Sequence, residues 1–182
     1  MHAANNVLTF LIHTLFTLYI GAVLLRMILS ATRADFYNPI SQFLVAITNP
    51  VLLPLRGVLP SIGNIDTASW VLVFALKAIE ITILLGIRGA SIDPISLLVT
   101  TVLEVIAALV TIFLYAIIIR AILSWFAGAY QQQNPMLSIL NSITEPILRP
   151  LRKLIPPVGM FDLSAFVAIL GLYSILIILR SF

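Results

Sequence analysis

The chain has no cysteine. That excludes a disulfide framework, a zinc–thiolate site, an iron–sulfur cluster and a thiol nucleophile, and it leaves the redox compartment unreadable. Charge is almost as scarce: 9% of the 182 residues are charged against 61% apolar. So few charges do not cover a water-facing surface. There is no glycine-rich phosphate loop and no serine nucleophile elbow. Of the two histidines, His2 sits in the tail and His13 stands alone in an apolar run. No metal site is expected from them, and His13 reads as a satisfied or lipid-edge side chain rather than a ligand. The net charge of +3 is spread over separate arginines, which argues against direct contact with nucleic acid. No cofactor and no small-molecule substrate is called for, and an enzyme is the least supported class.

What is present in place of charge is long apolar sequence, for which the natural solvent is a bilayer. Val7 to Leu25 is apolar apart from His13 and three threonines. A cleaved signal peptide is the weaker reading, because residues 1–6 lack Lys and Arg and the apolar stretch is too long. The expected architecture is all-α with four transmembrane helices, over residues 7–31, 68–87, 95–126 and 163–180.

Between these runs one phrase occurs twice, 96 residues apart. The first copy is Asn38-Pro39, then Pro50, Pro54-Leu55-Arg56, Pro60, Gly63 and Asp66. The second is Asn134-Pro135, then Pro146, Pro150-Leu151-Arg152, Pro156, Gly159 and Asp162. Upstream, Arg26 with Ile28-Leu29-Ser30 matches Arg120 with Ile122-Leu123-Ser124, at an offset of 94. Prolines in step imply one backbone path used twice, so the chain divides into tandem halves, 1–90 and 91–182.

Within each phrase Asn-Pro suits a helix start. Ile40, Phe43, Leu44 and Ile47 then fall on one helical stripe, with Ser41, Gln42 and Thr48 elsewhere. Met136, Ile139, Leu140 and Ile143 repeat that stripe, opposite Ser138, Asn141 and Ser142. The reading is a short amphipathic interfacial helix over 39–49 and again over 135–145. Pro50 and Pro54 are expected to stop the first, leaving 50–60 as a shallow loop at the membrane surface.

Arg26, Arg33, Arg56, Arg120, Arg149, Arg152 and Lys153 lie on the phrase-bearing side, against Arg88 and Arg180 opposite. The positive-inside rule therefore places both phrases in the cytoplasm and both termini outside, and Tyr37, Trp70, Trp125 and Tyr130 would form an aromatic belt on the phrase side. Two units of like orientation imply a pseudo-twofold axis along the membrane normal.

Lys77, Glu80 and Glu104 fall inside the spans, where a lone charge costs about 2.5–3.5 kcal/mol. Counting from the tight connection at 88–94, Lys77 and Glu104 both lie about 14–15 Å deep. Lys77 and Glu80 share a helix face. Such a cluster reads first as a polar clasp between helices; an ion or proton path is the rival. Tyr173, Leu176 and Phe10 hold the matching places in the other half, which disfavours a symmetric two-site transporter. Thr100, Thr101 and Glu104 share a helix but do not make a catalytic set.

Two copies of Arg-x-Ile-Leu-Ser, Asn-Pro, Thr-x-Pro-x-x-x-Pro-Leu-Arg and Pro-x-x-Gly-x-x-Asp resemble the YggT family of small bacterial membrane proteins, which has relatives in plastids. The resemblance covers about residues 20–87 and 114–180 and is to the two-repeat bacterial members. The doubling is imperfect: Asn49 and Leu53 face Glu145 and Arg149 in the second copy. The resemblance implies a bacterial inner-membrane location. It also implies links to osmotic shock and potassium handling, and in other members to cell division, nucleoid distribution or assembly of photosynthetic complexes. It supplies no catalytic residue.

The leading expectation is a non-enzymatic membrane scaffold or assembly factor contributing to envelope or osmotic-stress homeostasis. Arg56, Arg149, Arg152 and Lys153 would grip headgroups or an acidic partner. Its partners would be membrane lipids and other membrane proteins or a second copy. The alternatives are a small potassium or proton permeation protein and a cell-division or nucleoid-distribution factor.

Overall fold

The computed structural model describes residues 2–62, 66–91, 93–125, 134–155 and 162–181, the side chains of residues 2, 3 and 125 excepted. Gly63, Tyr130, Pro156, Gly159 and the indole of Trp125 lie outside the described residues. Those described form six helices and no strand: α1 (His2–Ala31), α2 (Pro39–Val58), α3 (Thr67–Ile87), α4 (Pro94–Trp125), α5 (Pro135–Leu154) and α6 (Leu163–Leu179). Ala4–Ala31, Thr67–Ile87 and Pro94–Ser124 are long and apolar enough to cross a membrane. With 17 residues, α6 stands at the lower edge of the ~17–25 that a spanning helix uses.

The helix starts are written in the sequence. Asn38 Oδ1 accepts from the Ile40 N–H at 3.0 Å, Asn134 Oδ1 from the Met136 N–H at 2.9 Å, and Asp93 Oδ2 from the Ser96 N–H at 2.7 Å. Asp66 and Asp162 cap α3 and α6 in the same way, through the Ser69 and Ser164 N–H groups. Each satisfies a donor that the first turn leaves without a partner. At its far end α3 closes with Gly89 at φ 66°, while the Ala90 N–H reaches the Leu85 carbonyl. This left-handed exit favours glycine. Beyond α1 the same exit falls on Arg33 at φ 53°.

One expectation about the amphipathic helices requires correction, their length: α2 does not stop at residue 49 but runs through Pro50 and Pro54 to Val58, and α5 runs through Pro146 and Pro150 to Leu154. The anticipated loop at 50–60 is mostly helix. The prolines of each pair are four apart, so they share one face, and all four are exposed. Each removes only the bond to the carbonyl four residues back. Those carbonyls, of Ala46 and Pro50 and of Ser142 and Pro146, lie beneath the prolines on that exposed face.

The stripe itself does not say which way it turns, and the two copies differ. In α5 the expected stripe is largely inward: Ile139, Leu140 and Ile143 are buried, and only Met136 is exposed. In α2 Leu44 is buried, but Phe43 and Ile47 are exposed while Ser41 and Thr48 are buried. Ser41 Oγ donates to the Asp35 carbonyl at 2.9 Å, and Thr48 accepts from an arginine described below. In an apolar solvent, turning greasy residues outward costs little, and polar groups seek partners inside.

The chain divides into two compact units, residues 1–27 with 46–106 and residues 28–45 with 107–182. The sequence repeat and the compact units thus partition the chain differently. In the first unit Ile20, Val23, Leu24, Leu52, Leu72, Val73 and Val105 are buried. In the second, Ile117, Leu148, Ala165 and Ala168 form a core cluster flanked by Ile147, Leu151, Ile169 and Leu172. The two alanines on α6 permit close approach of a neighbouring helix.

Candidate functional site

Each phrase builds the same pair of braces. In the first unit Arg26, buried near the end of α1, donates through Nη1 to Thr48 Oγ1 at 2.6 Å. Ten residues before the cap of α3, Arg56 Nη2 meets Asp66 Oδ2 at 2.5 Å, and Ser69 Oγ donates to the same oxygen at 2.6 Å. In the second unit Arg120 donates to Thr144 Oγ1. Arg152 reaches Asp162 Oδ2 with Nε at 3.0 Å and Nη2 at 2.8 Å, while Ser164 Oγ donates to Asp162 Oδ1. A spanning helix is thereby tied to the middle of the amphipathic helix, and the end of the amphipathic helix to the cap of the next helix. These fixed contacts oppose the ~3 kcal/mol that an interior proline costs a helix.

The arginines are accordingly committed. Arg26 and Arg120 meet threonine hydroxyls, and Arg56 and Arg152 hold helix-capping carboxylates. Burial pushes the Asp66 and Asp162 carboxyls up, but hydrogen bonds from the facing arginine and serine outweigh it and hold both below the ordinary range. Among the charged residues expected to face headgroups, Arg149 and Lys153 remain exposed. The copies differ where the sequence differs. Glu145 lies 3.7 Å from Arg120 and 3.5 Å from Arg152, whereas Asn49 in its place leaves Oδ1 buried without a partner among the described residues.

The charges inside the spans are brought together in the first unit. Lys77 Nζ lies 2.9 Å from Glu80 Oε2 and 3.8 Å from Glu104 Oε2. Lys77 and Glu80 are 5% and 1% exposed. Burial this deep is tolerated only for a paired charge. Glu80 Oε2 has no aligned hydrogen bond, so the ion pair with Lys77 is what compensates it. The other oxygen, Oε1, lies 2.7 Å from His13 Nδ1. The result is a line, His13–Glu80–Lys77–Glu104, joining α1, α3 and α4. His13 was not anticipated as part of this line. One lysine facing two glutamates leaves an unanswered negative charge, and that imbalance is the one signal in the sequence that could have pointed to a further donor.

His13 also borders a cleft of about 480 Å3 with Asn6, Thr9, Phe10, Leu84 and Arg88. At the other end of the line Glu104 is half exposed. Among the described residues no group of three or more His, Asp or Glu side chains is placed to hold a metal ion.

These features define a class: an all-helical protein with membrane-length helices, two braced amphipathic helices and an ion-paired cluster within the spans. The sequence pattern of the CCB3/YggT family matches residues 5–87 and again residues 99–182, and the chain belongs to that family. It is 41% identical over 169 residues to an uncharacterised Vibrio alginolyticus protein encoded in the proC 3′ region, covering 92% of this chain and 90% of the relative. An uncharacterised Pseudomonas aeruginosa protein is 41% identical over 175 residues, 94% and 87% of the two chains. The uncharacterised protein YggT of Escherichia coli K12 is 35% identical over 170 residues, 93% and 87% of the two chains. No solved structure matches the chain.

Proposed function

We propose that this protein is a non-enzymatic scaffold or assembly factor of the bacterial inner membrane, contributing to envelope or osmotic-stress homeostasis. In this reading α6 is a fourth span, both phrases face the cytoplasm, and both termini lie outside. The arginine asymmetry between phrase-side and opposite ends supports that orientation.

One observation carries the scaffold reading. Ile139 and Ile143 on α5 are 5% and 2% exposed, while their counterparts Phe43 and Ile47 on α2 are 62% and 36% exposed. The braces hold both helices alike, yet one copy keeps open the face that the other fills. A braced helix with an open apolar face is suited to receive another membrane protein or a second copy of this chain. A photo-crosslinking side chain at position 43, activated in native membranes, should yield a discrete protein adduct, with none from position 139. Adducts to lipid alone from position 43 would remove the scaffold.

A second reading, ion or proton permeation, is favoured by the line of titratable groups from the His13 cleft to half-exposed Glu104. Liposomes carrying the protein should then pass potassium or protons, and Glu80→Gln or Glu104→Gln should abolish the flux. Flux equal to that of empty liposomes eliminates it.

A further inference from the structure

The second copy of the phrase carries a polar cleft for which the first has no chemical equivalent. In the second unit a cleft of about 560 Å3 is lined by Thr32, Arg120, Asn141, Ser142, Glu145 and Arg149, with Pro146 between them. Its volume falls in the ~300–1,000 Å3 range of small-ligand sites. Asn141, Ser142, Glu145 and Arg149 come from one face of α5. The matching residues of α2 are Val45, Ala46, Asn49 and Leu53. The phrase recurs in both, and α2 forms the same 20-residue helix without these polar side chains. Forming the helix therefore does not require them.

Their charge shows what they suit. Glu145 stands 3.7 Å from Arg120 and 3.5 Å from Arg152, both longer than a hydrogen bond, and Arg152 is itself closed by Asp162. Arg149 is exposed and makes no hydrogen bond or ion pair among the described residues. The lining thus carries two guanidiniums, Arg120 and Arg149, and one carboxylate, Glu145, a surplus of one positive charge. Planar guanidinium forks match the oxygens of a phosphate, and the surplus matches the single charge of a phosphodiester better than the roughly −1.5 to −2 of a phosphate monoester. Arg120 lies five residues before the end of α4 at Trp125, about 7–8 Å along the helix, which the membrane placement proposed above puts at the level of a leaflet's phosphates. Basic pockets between membrane helices on the cytoplasmic side hold anionic headgroups in just this way.

We infer that this cleft binds the phosphodiester of an anionic membrane phospholipid. Arg149 and the donors of Arg120 that Thr144 leaves free clasp the phosphate oxygens, and Asn141, Ser142 and Thr32 meet the hydroxyls of the headgroup. Glu145 spaces the guanidiniums and disfavours a more highly charged anion. The inference deepens the reading above by naming the ligand of Arg149, and it rests on that reading's membrane placement alone.

The test is native mass spectrometry of the full chain, purified and then offered equal amounts of phosphatidylglycerol and phosphatidylcholine. Phosphatidylglycerol should be retained about tenfold better, the change expected from one charge-assisted hydrogen bond. Arg149→Leu installs the residue that α2 already carries at the matching exposed position, and it should reduce the preference to none. Arg120→Lys, which keeps the charge and loses the fork, should weaken it, and Arg180→Gln, exposed and outside the cleft, should leave it intact. Equal retention of the two lipids by the unaltered protein, or an undiminished preference in Arg149→Leu, overturns the assignment. Displacement of the lipid by millimolar inorganic phosphate also overturns it, in favour of a free-anion site. None of these outcomes alters crosslinking from position 43, so the lipid site and the scaffold stand or fall separately.

Discussion

Asn38 Nδ2 donates to the carbonyl of Pro135 at 2.7 Å, so the first Asn-Pro pair holds the opening turn of the helix that the second begins. Asn38 also caps its own helix and is buried, whereas Asn134 caps α5 from an exposed position. Removing the amide at 38 therefore loses a cap and a part-buried bond together. Asn38→Ala should lower stability by about 2 kcal/mol, and Asn134→Ala by about 1. Unfolding in mixed micelles, followed by tryptophan fluorescence, measures both, and equal losses would show that the two copies are not tied by this bond.

The Arg–Thr braces make a second asymmetric prediction. Thr48→Val keeps the shape but deprives buried Arg26 of its hydroxyl, a loss of about 1–3 kcal/mol. Thr144→Val does the same to Arg120, but Glu145 stands nearby at 3.7 Å and takes over part of its compensation. The second substitution should cost less than the first. Adding Glu145→Asn, which copies position 49, should bring the two costs level.

How much of this was legible follows from where each signal resides. The long apolar runs and the caps are local, so α1, α3 and α4 and the Asn and Asp starts could be read directly. A proline taken singly predicts a stop, so the proline pairs conceal the second half of α2 and of α5. Their spacing of four, which keeps both on one exposed face, is what lets α2 and α5 continue. The direction of Phe43 and Ile47 was hidden for another reason: amphipathicity names two faces and does not say which one meets the solvent when the solvent is lipid. The grouping of Lys77, Glu80 and Glu104 could be counted from helix rise. His13 needed the rotation of α1, which periodicity in a uniformly apolar helix does not encode. The polar face of α5 was visible only as two departures from a perfect repeat, at Glu145 and Arg149, until the cleft joined them to Arg120.

The capping aspartates predict a pH dependence. Asp66 and Asp162 have carboxyls held below the ordinary value of 3.8 by their arginine and serine partners. A depressed folded value means that the unfolded chain binds protons first, so stability falls as pH drops. The contribution is complete above about pH 4 and is lost as pH passes down through the depressed folded values. Both groups are partly exposed, which reduces the effect through solvent screening. The double variant Asp66→Asn with Asp162→Asn should be less stable at neutral pH and flatter across the acid range. An acid profile identical to that of the unaltered protein would show that other carboxylates govern it.

Lys77 decides whether the cluster inside the spans is a clasp. It stands between Glu80 at 2.9 Å and Glu104 at 3.8 Å, so Lys77→Met leaves a buried carboxylate facing only His13 and a second carboxylate. Breaking a buried pair from one side costs about 3–5 kcal/mol, whereas removing both partners is often nearly neutral. Lys77→Met alone should therefore be severely destabilising, and Lys77→Met with Glu80→Gln should recover most of the loss. His13 keeps a hydrogen-bonding partner in the glutamine, so the recovery should not depend on it. A path for ions requires more than stability: the double variant would then be well folded and silent in liposome flux. A clasp requires only that the pair be removed together, so the double variant would keep the crosslink from position 43. If Lys77→Met alone proves as stable as the unaltered chain, Glu80 is compensated by something other than Lys77, and the line from His13 to Glu104 loses its central member.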